Sequence, residues 1–66
     1  MISYELNANG SVSVFNNGIL VAIYNAPIIR FTGRIPAELI DIVINNAVSI
    51  SETGFIPEIA KLSTSH

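Results

Sequence analysis

Few side chains in this chain are equipped for chemistry. The basic residues are Arg30, Arg34 and Lys61, the acidic ones Glu5, Glu38, Asp41, Glu52 and Glu58, and the single imidazole is His66. Cysteine is absent. A nucleophilic serine needs a base within hydrogen-bond reach, and the one histidine closes the segment Ser63–His66, which reads as a frayed tail. Glu38 and Asp41 have the spacing of neighbours on a solvated helix face. Glu52 and Glu58 have no companion of metal-ligand type. The four glycines are scattered singly, each suited to a turn or cap, so no loop is built to cradle a phosphate. The expectation is a non-enzymatic protein with no catalytic residue, no cofactor and no metal. Its chemistry would be binding, which depends on which faces the folded elements expose.

Two Asn-Gly pairs, Asn9-Gly10 and Asn17-Gly18, separate alternating apolar segments. Tight hairpin turns need positive φ, which Asn and Gly adopt most readily. Facing then selects the loop lengths, because a one-residue slip turns every side chain over. A three-residue loop, Ala8-Asn9-Gly10 with Gly10 left-handed, pairs Leu6 with Val12 and Tyr4 with Val14. A two-residue Asn17-Gly18 loop places Val14 opposite Val21 and Val12 opposite Ile23. A three-residue loop Asn25-Ala26-Pro27 pairs Ile23 with Ile29 and Val21 with Phe31. These choices converge on one apolar face of Ile2, Tyr4, Leu6, Val12, Val14, Val21, Ile23, Ile29 and Phe31. The pattern predicts a four-stranded antiparallel meander with strands at about 2–7, 11–16, 19–25 and 28–35.

The next segment can cover that face. Pro36 suits the first turn of a helix and Glu38 its N-terminus. Over about 36–51, Leu39, Ile40, Val43, Ile44, Ala47, Val48 and Ile50 fill one side of a helix. Glu38, Asp41, Asn45, Asn46 and Ser49 fill the other, with Ile42 misplaced among them. The β-branched run Ile40–Ile44 also fits a strand, but the length and the wide apolar arc favour helix. Ser51-Glu52-Thr53-Gly54 is a break, and 55–62 reads as helix, strand or extended arm. The fold expected is α+β, one domain over 1–62 with the tail 63–66 outside it.

On these registers the second sheet face carries Ser3, Glu5, Ser11, Ser13, Phe15, Leu20, Ala22, Tyr24, Ile28, Arg30 and Thr32. A solvated antiparallel face reads polar, yet Phe15 pairs with Leu20 and Tyr24 with Ile28, leaving an apolar strip crossed by Arg30. Half of the 66 residues are hydrophobic and the formal net charge is −2. A chain of this size buries only about 60% of its unfolded surface and is ordinarily stapled by disulfides, a metal or oligomerisation. Self-association is thus expected. Interface candidates are Phe15, Leu20, Tyr24, Ile28, Ile42 and Phe55. A second reading makes the same face a platform for a nucleotide-like anion at a subunit boundary, Tyr24 stacking on a ring while Arg30 and Arg34 hold a phosphate.

The functional expectation is a small homo-oligomeric binding protein, an inhibitor or adaptor acting on a protein target, or alternatively a sequestering protein for a small anion. Chains of this size and composition are often encoded by phages or mobile elements. Three basic residues are too few for a nucleic-acid interface of the electrostatic kind. The longest apolar run, Ile19 to Tyr24, falls far short of the ~20 residues that cross a bilayer. The start Met1-Ile2-Ser3-Tyr4-Glu5 lacks the basic region of a signal peptide, so a soluble cytoplasmic protein is expected.

The run Arg34-Ile35-Pro36-Ala37-Glu38-Leu39, after a strand, resembles the start of ribbon-helix-helix DNA-binding proteins, where a strand enters a Pro-Glu-Leu helix. The resemblance covers these six residues and implies DNA binding through the strand. Here that strand carries only Arg30 and Arg34, and Pro57 interrupts the second helix such proteins need. Ser51, Gly54-Phe55 and Ile59 after strands and a helix are similar in layout to the small KTSC domains, a similarity that implies no function.

Overall fold

The computed structural model describes residues 1–56. The expected readings of 57–62 as helix, strand or arm, and of 63–66 as a frayed tail, lie outside the described residues. Lys61, Glu58 and His66 lie there too.

The strands are β1 (Ile2–Leu6), β2 (Val12–Asn16), β3 (Ile19–Asn25) and β4 (Ile28–Phe31), in sheet order β1-β2-β3-β4 with every neighbour antiparallel. A 3-10 turn, Ala37–Leu39, leads into the helix α1, Ile40–Thr53. This is the expected α+β architecture. The first two turns form as the Asn-Gly pairs require. The Asn7 amide donates to the Ser11 carbonyl at 2.8 Å around Ala8-Asn9-Gly10, with Gly10 at φ 89°. Asn17 and Gly18 take φ 54° and 81° between the paired residues Asn16 and Ile19, the double positive φ of the tightest hairpin. Leu6 faces Val12 and Tyr4 faces Val14 as expected.

Beyond that point the register departs from expectation. β2 and β3 shift between Val14 and Phe15, so Val14 lies opposite Ala22 and Val12 opposite Tyr24, instead of Val21 and Ile23. Val21 is the extra residue of a β-bulge, an insertion that leaves one residue unpaired. The third loop is correspondingly shorter. Asn25 pairs with Ile28 across Ala26 and Pro27 alone, whose peptide bond is cis, and Tyr24 pairs with Ile29. One residue gained at the bulge and one lost from the loop cancel, so Ile29 and Phe31 keep the core facing and Arg30 the outer facing. β3 itself is turned over at Ala22–Tyr24. Ala22 and Tyr24 are buried in the core, and Ile23 moves to the outer face. β4 ends at Phe31 rather than at about 35.

The core consists of Ile2, Tyr4, Val12, Val14, Val21, Ala22, Tyr24, Val43, Ala47 and Ile50, flanked by half-buried Leu6, Ile29, Ile35, Leu39, Val48 and Ile56. α1 runs two residues past the expected end and closes on Gly54, left-handed at φ 79°, whose amide donates to the Ile50 carbonyl at 2.8 Å. Its buried positions Val43, Ala47 and Ile50 belong to the expected arc, and Ile42 is the exposed exception foreseen, at 53%. The strand ahead of Pro36 is one of a four-stranded meander, so Arg30 stands in a sheet and not in the lone strand that the ribbon-helix-helix resemblance implies. α1 packs on β1 and β2. No described helix is long and apolar enough to cross a membrane.

Candidate functional site

Grooves lined by described residues open on both sides of the sheet. The first lies where α1 crosses the start of β1. Ile2, Tyr4, Leu39, Ile42, Val43 and Asn46 line it with Met1, enclosing about 200 Å³. Its mouth is set by the chain start. The Met1 ammonium donates to Asn16 Oδ1 at 2.9 Å and Asn17 Oδ1 at 2.8 Å, and the Asn17 amide donates to the Met1 carbonyl at 2.9 Å. Asn46 Nδ2 donates to the Tyr4 hydroxyl at 3.0 Å. Burial pushes the Tyr4 hydroxyl pKa above its ordinary value, and the Asn46 bond offsets part of that rise. The result is a mostly apolar cleft with one polar pair, able to accept one large apolar side chain.

The second groove, about 280 Å³, lies on the outer sheet face between Ile23, Asn25, Ile28 and Arg30. Ile23 and Arg30 are cross-strand partners, as are Asn25 and Ile28. An exposed guanidinium beside two isoleucines can hold an anion that carries an apolar body.

The residues expected to bind or associate are distributed between these places. Phe15 and Leu20 are paired on the outer face as expected and are half-buried. Ile28 is on that face at 59% exposure. Tyr24 is not: the bulge turns it into the core, paired with Val12 and Ile29 and 9% exposed. The expected Tyr24–Ile28 pair therefore does not form, and the ring expected to stack over an anion is on the opposite side of the sheet from Arg30. Arg34 lies in the connection after β4, is exposed, and does not line the Arg30 groove. Ile42 lines the first groove, and Phe55 is exposed just past the helix cap at 61%.

Met1 and Asn46 were not expected at a site. Asn46 reads as solvated helix surface, and only its spacing of four from Ile42, one helical turn, ties it to that exposed apolar position. The serines near the first turn are held locally. Asn7 Nδ2 donates to Ser11 Oγ at 3.0 Å and Ser13 Oγ at 2.9 Å, and Ser11 Oγ donates to Asn9 Oδ1 at 2.6 Å. No group of three or more His, Cys, Asp or Glu among the described residues is placed to hold a metal ion. No family model, no curated protein and no solved structure matches this chain.

Proposed function

We propose that this chain is a small non-enzymatic binding protein that self-associates and acts as an inhibitor or adaptor on a protein target. One observation carries the reading. Large apolar side chains stand exposed at Ile28, Phe31, Ile42 and Phe55 on a domain whose core is otherwise closed, and Ile42 borders a cleft sized for one partner side chain. Contact surfaces of this kind concentrate binding in a few apolar anchors set into pockets. The reading takes the protein to be soluble and cytoplasmic, of the sort carried by phages or mobile elements, acting by occupying its target.

A photo-crosslinking aromatic at position 42, introduced in the source cells, should give a discrete adduct with one other protein. The same group at Asn45, exposed on the helix but outside the cleft, should not. Equal or absent labelling at the two positions would remove the reading.

The Arg30 groove supports a second reading, capture of a small anion with an apolar body. Thermal shift against inorganic phosphate and phosphate-bearing compounds tests it, because a ligand that binds only the folded state raises the midpoint. Arg30→Ala should abolish any such shift, and no shift with any compound sinks this version.

A further inference from the structure

Among the described residues the sheet stops at β4. Residues along an antiparallel strand alternate between exchanging hydrogen bonds with the neighbour and pointing away from it. The Asn25–Ile28 pair closes the two-residue turn, and the Thr32 amide donates to the Val21 carbonyl at 2.9 Å, so residues 28, 30 and 32 face β3. The N–H and C=O groups of Ile29 and Phe31 therefore point outward from the sheet edge. Natural edges are blunted by very short strands, charges, prolines, bulges or a covering element. β4 carries only part of this protection: it is four residues long, Ile-Ile-Arg-Phe, with Pro27 ahead of it and Arg30 as its one charge, while the bulge is in β3 and, among the described residues, α1 packs chiefly on β1 and β2. Ile28 on the outer face and Phe31 on the core face are both exposed.

We infer that β4 pairs antiparallel with β4 of a second copy about a two-fold axis, extending the sheet across both molecules. This deepens, and rests on, the self-association proposed above. The edge is self-complementary, and its single charge selects the register. Two alignments satisfy the outward groups. One sets Ile29 opposite the partner's Phe31, but places Arg30 directly opposite the partner's Arg30, and like charges in that position repel. The other puts Ile29 opposite the partner's Ile29 on the axis. Phe31 N–H then donates to the carbonyl of the partner's Pro27, and Arg30 lies beside the partner's Ile28. This second register covers apolar groups on both faces without opposing charges, and it is the one assigned. A four-residue edge covers less than a standard interface, so the dimer should dissociate in the micromolar range.

The absence of cysteine makes introduced thiols direct reporters. Ile29→Cys should self-link on mild oxidation, because that position meets its own copy on the axis, whereas Ile28→Cys mixed with Thr32→Cys should not, those positions being opposite only in the rejected register; all these variants keep Arg30, the charge that selects between the two. Ready linking of Ile28→Cys with Thr32→Cys overturns the register. Ile29→Pro deletes an outward amide that no internal bond uses, so it should sediment as a monomer with the parent's circular dichroism. If the parent is a dimer but no cysteine pair links, or Ile29→Pro stays dimeric, the β4 interface is wrong while self-association stands. A parent that remains monomeric at millimolar concentration overturns both.

Discussion

Across the sheet, the core-facing row Tyr4, Val14, Ala22 and Phe31 is exposed by 9%, 0%, 0% and 45%. The first two positions lie on β1 and β2, where α1 chiefly packs; the last lies on the far edge. The same alternation and the same apolar residue types thus end in two states, a closed core on one side and an open edge on the other. Facing is set by strand register, whereas burial needs a covering element, and among the described residues the helix packs chiefly on β1 and β2. The open side is where a partner can add most.

The difference is testable by substitution. Ile50 is fully buried under the closed half, so Ile50→Ala should lower unfolding free energy by about 2–5 kcal/mol in urea melts. A loss under 1 kcal/mol would mean the two halves are less different than their exposure. Gly33 is at the seam. A Cβ there would come 3.1 Å from Val21 Cγ1 and 3.4 Å from Val21 Cα, and Val21 is held in the bulge. Gly33→Ala should destabilise by about 1–3 kcal/mol, measured the same way.

Tyr4→Phe removes the hydroxyl that accepts from Asn46 and should cost about 1 kcal/mol. Because burial raises the Tyr4 pKa above its usual 10.0, the folded state holds that proton more tightly than the unfolded chain. The contribution is complete below the unfolded value and is lost as pH rises through the folded one. Wild-type stability should therefore fall above about pH 10, and this part of the fall should vanish in Tyr4→Phe. On the open side, Phe31→Ala should cost less than about 1 kcal/mol in dilute monomer. That loss should grow with protein concentration if a second copy covers the ring. Ile42→Asp should leave folding within about 0.5 kcal/mol, and a larger loss would show that the first groove is structural.

The legibility of the sequence divides along the same seam. At the first two turns Asn and Gly specify positive φ, and a slip in β1 or β2 would exchange Tyr4, Leu6, Val12 and Val14 for Ser3, Glu5, Ser11 and Ser13. Polar against apolar makes that choice unambiguous. In β3 the run Leu20-Val21-Ala22-Ile23-Tyr24 is apolar on both faces, so a one-residue slip buries no polar group and alternation has nothing to select on. The bulge falls there, and it carried the candidate site with it, moving Tyr24 inward and Ile23 outward. Arg30 and Ile28 were placed correctly only because the shortened loop restored the parity that the bulge had changed. The first groove was half legible. Ile42 stood out as an apolar residue on a polar helix face, but the meeting of Met1 with Asn46 depends on where α1 crosses β1.

The carbonyl of Val21 accepts from both the Thr32 amide at 2.9 Å and the Gly33 amide at 3.2 Å. This ties the sheet's one irregular point to the chain leaving for α1, and it makes the two ends of β4 unequal in their tolerance of length change. A residue inserted between Asn25 and Ile28 extends an exposed hairpin tip and can loop out into solvent. One inserted or deleted at Thr32–Gly33 must break a hold on the bulge and displace the connection to the helix. Length variation should therefore be accepted at the tip and rejected at the exit.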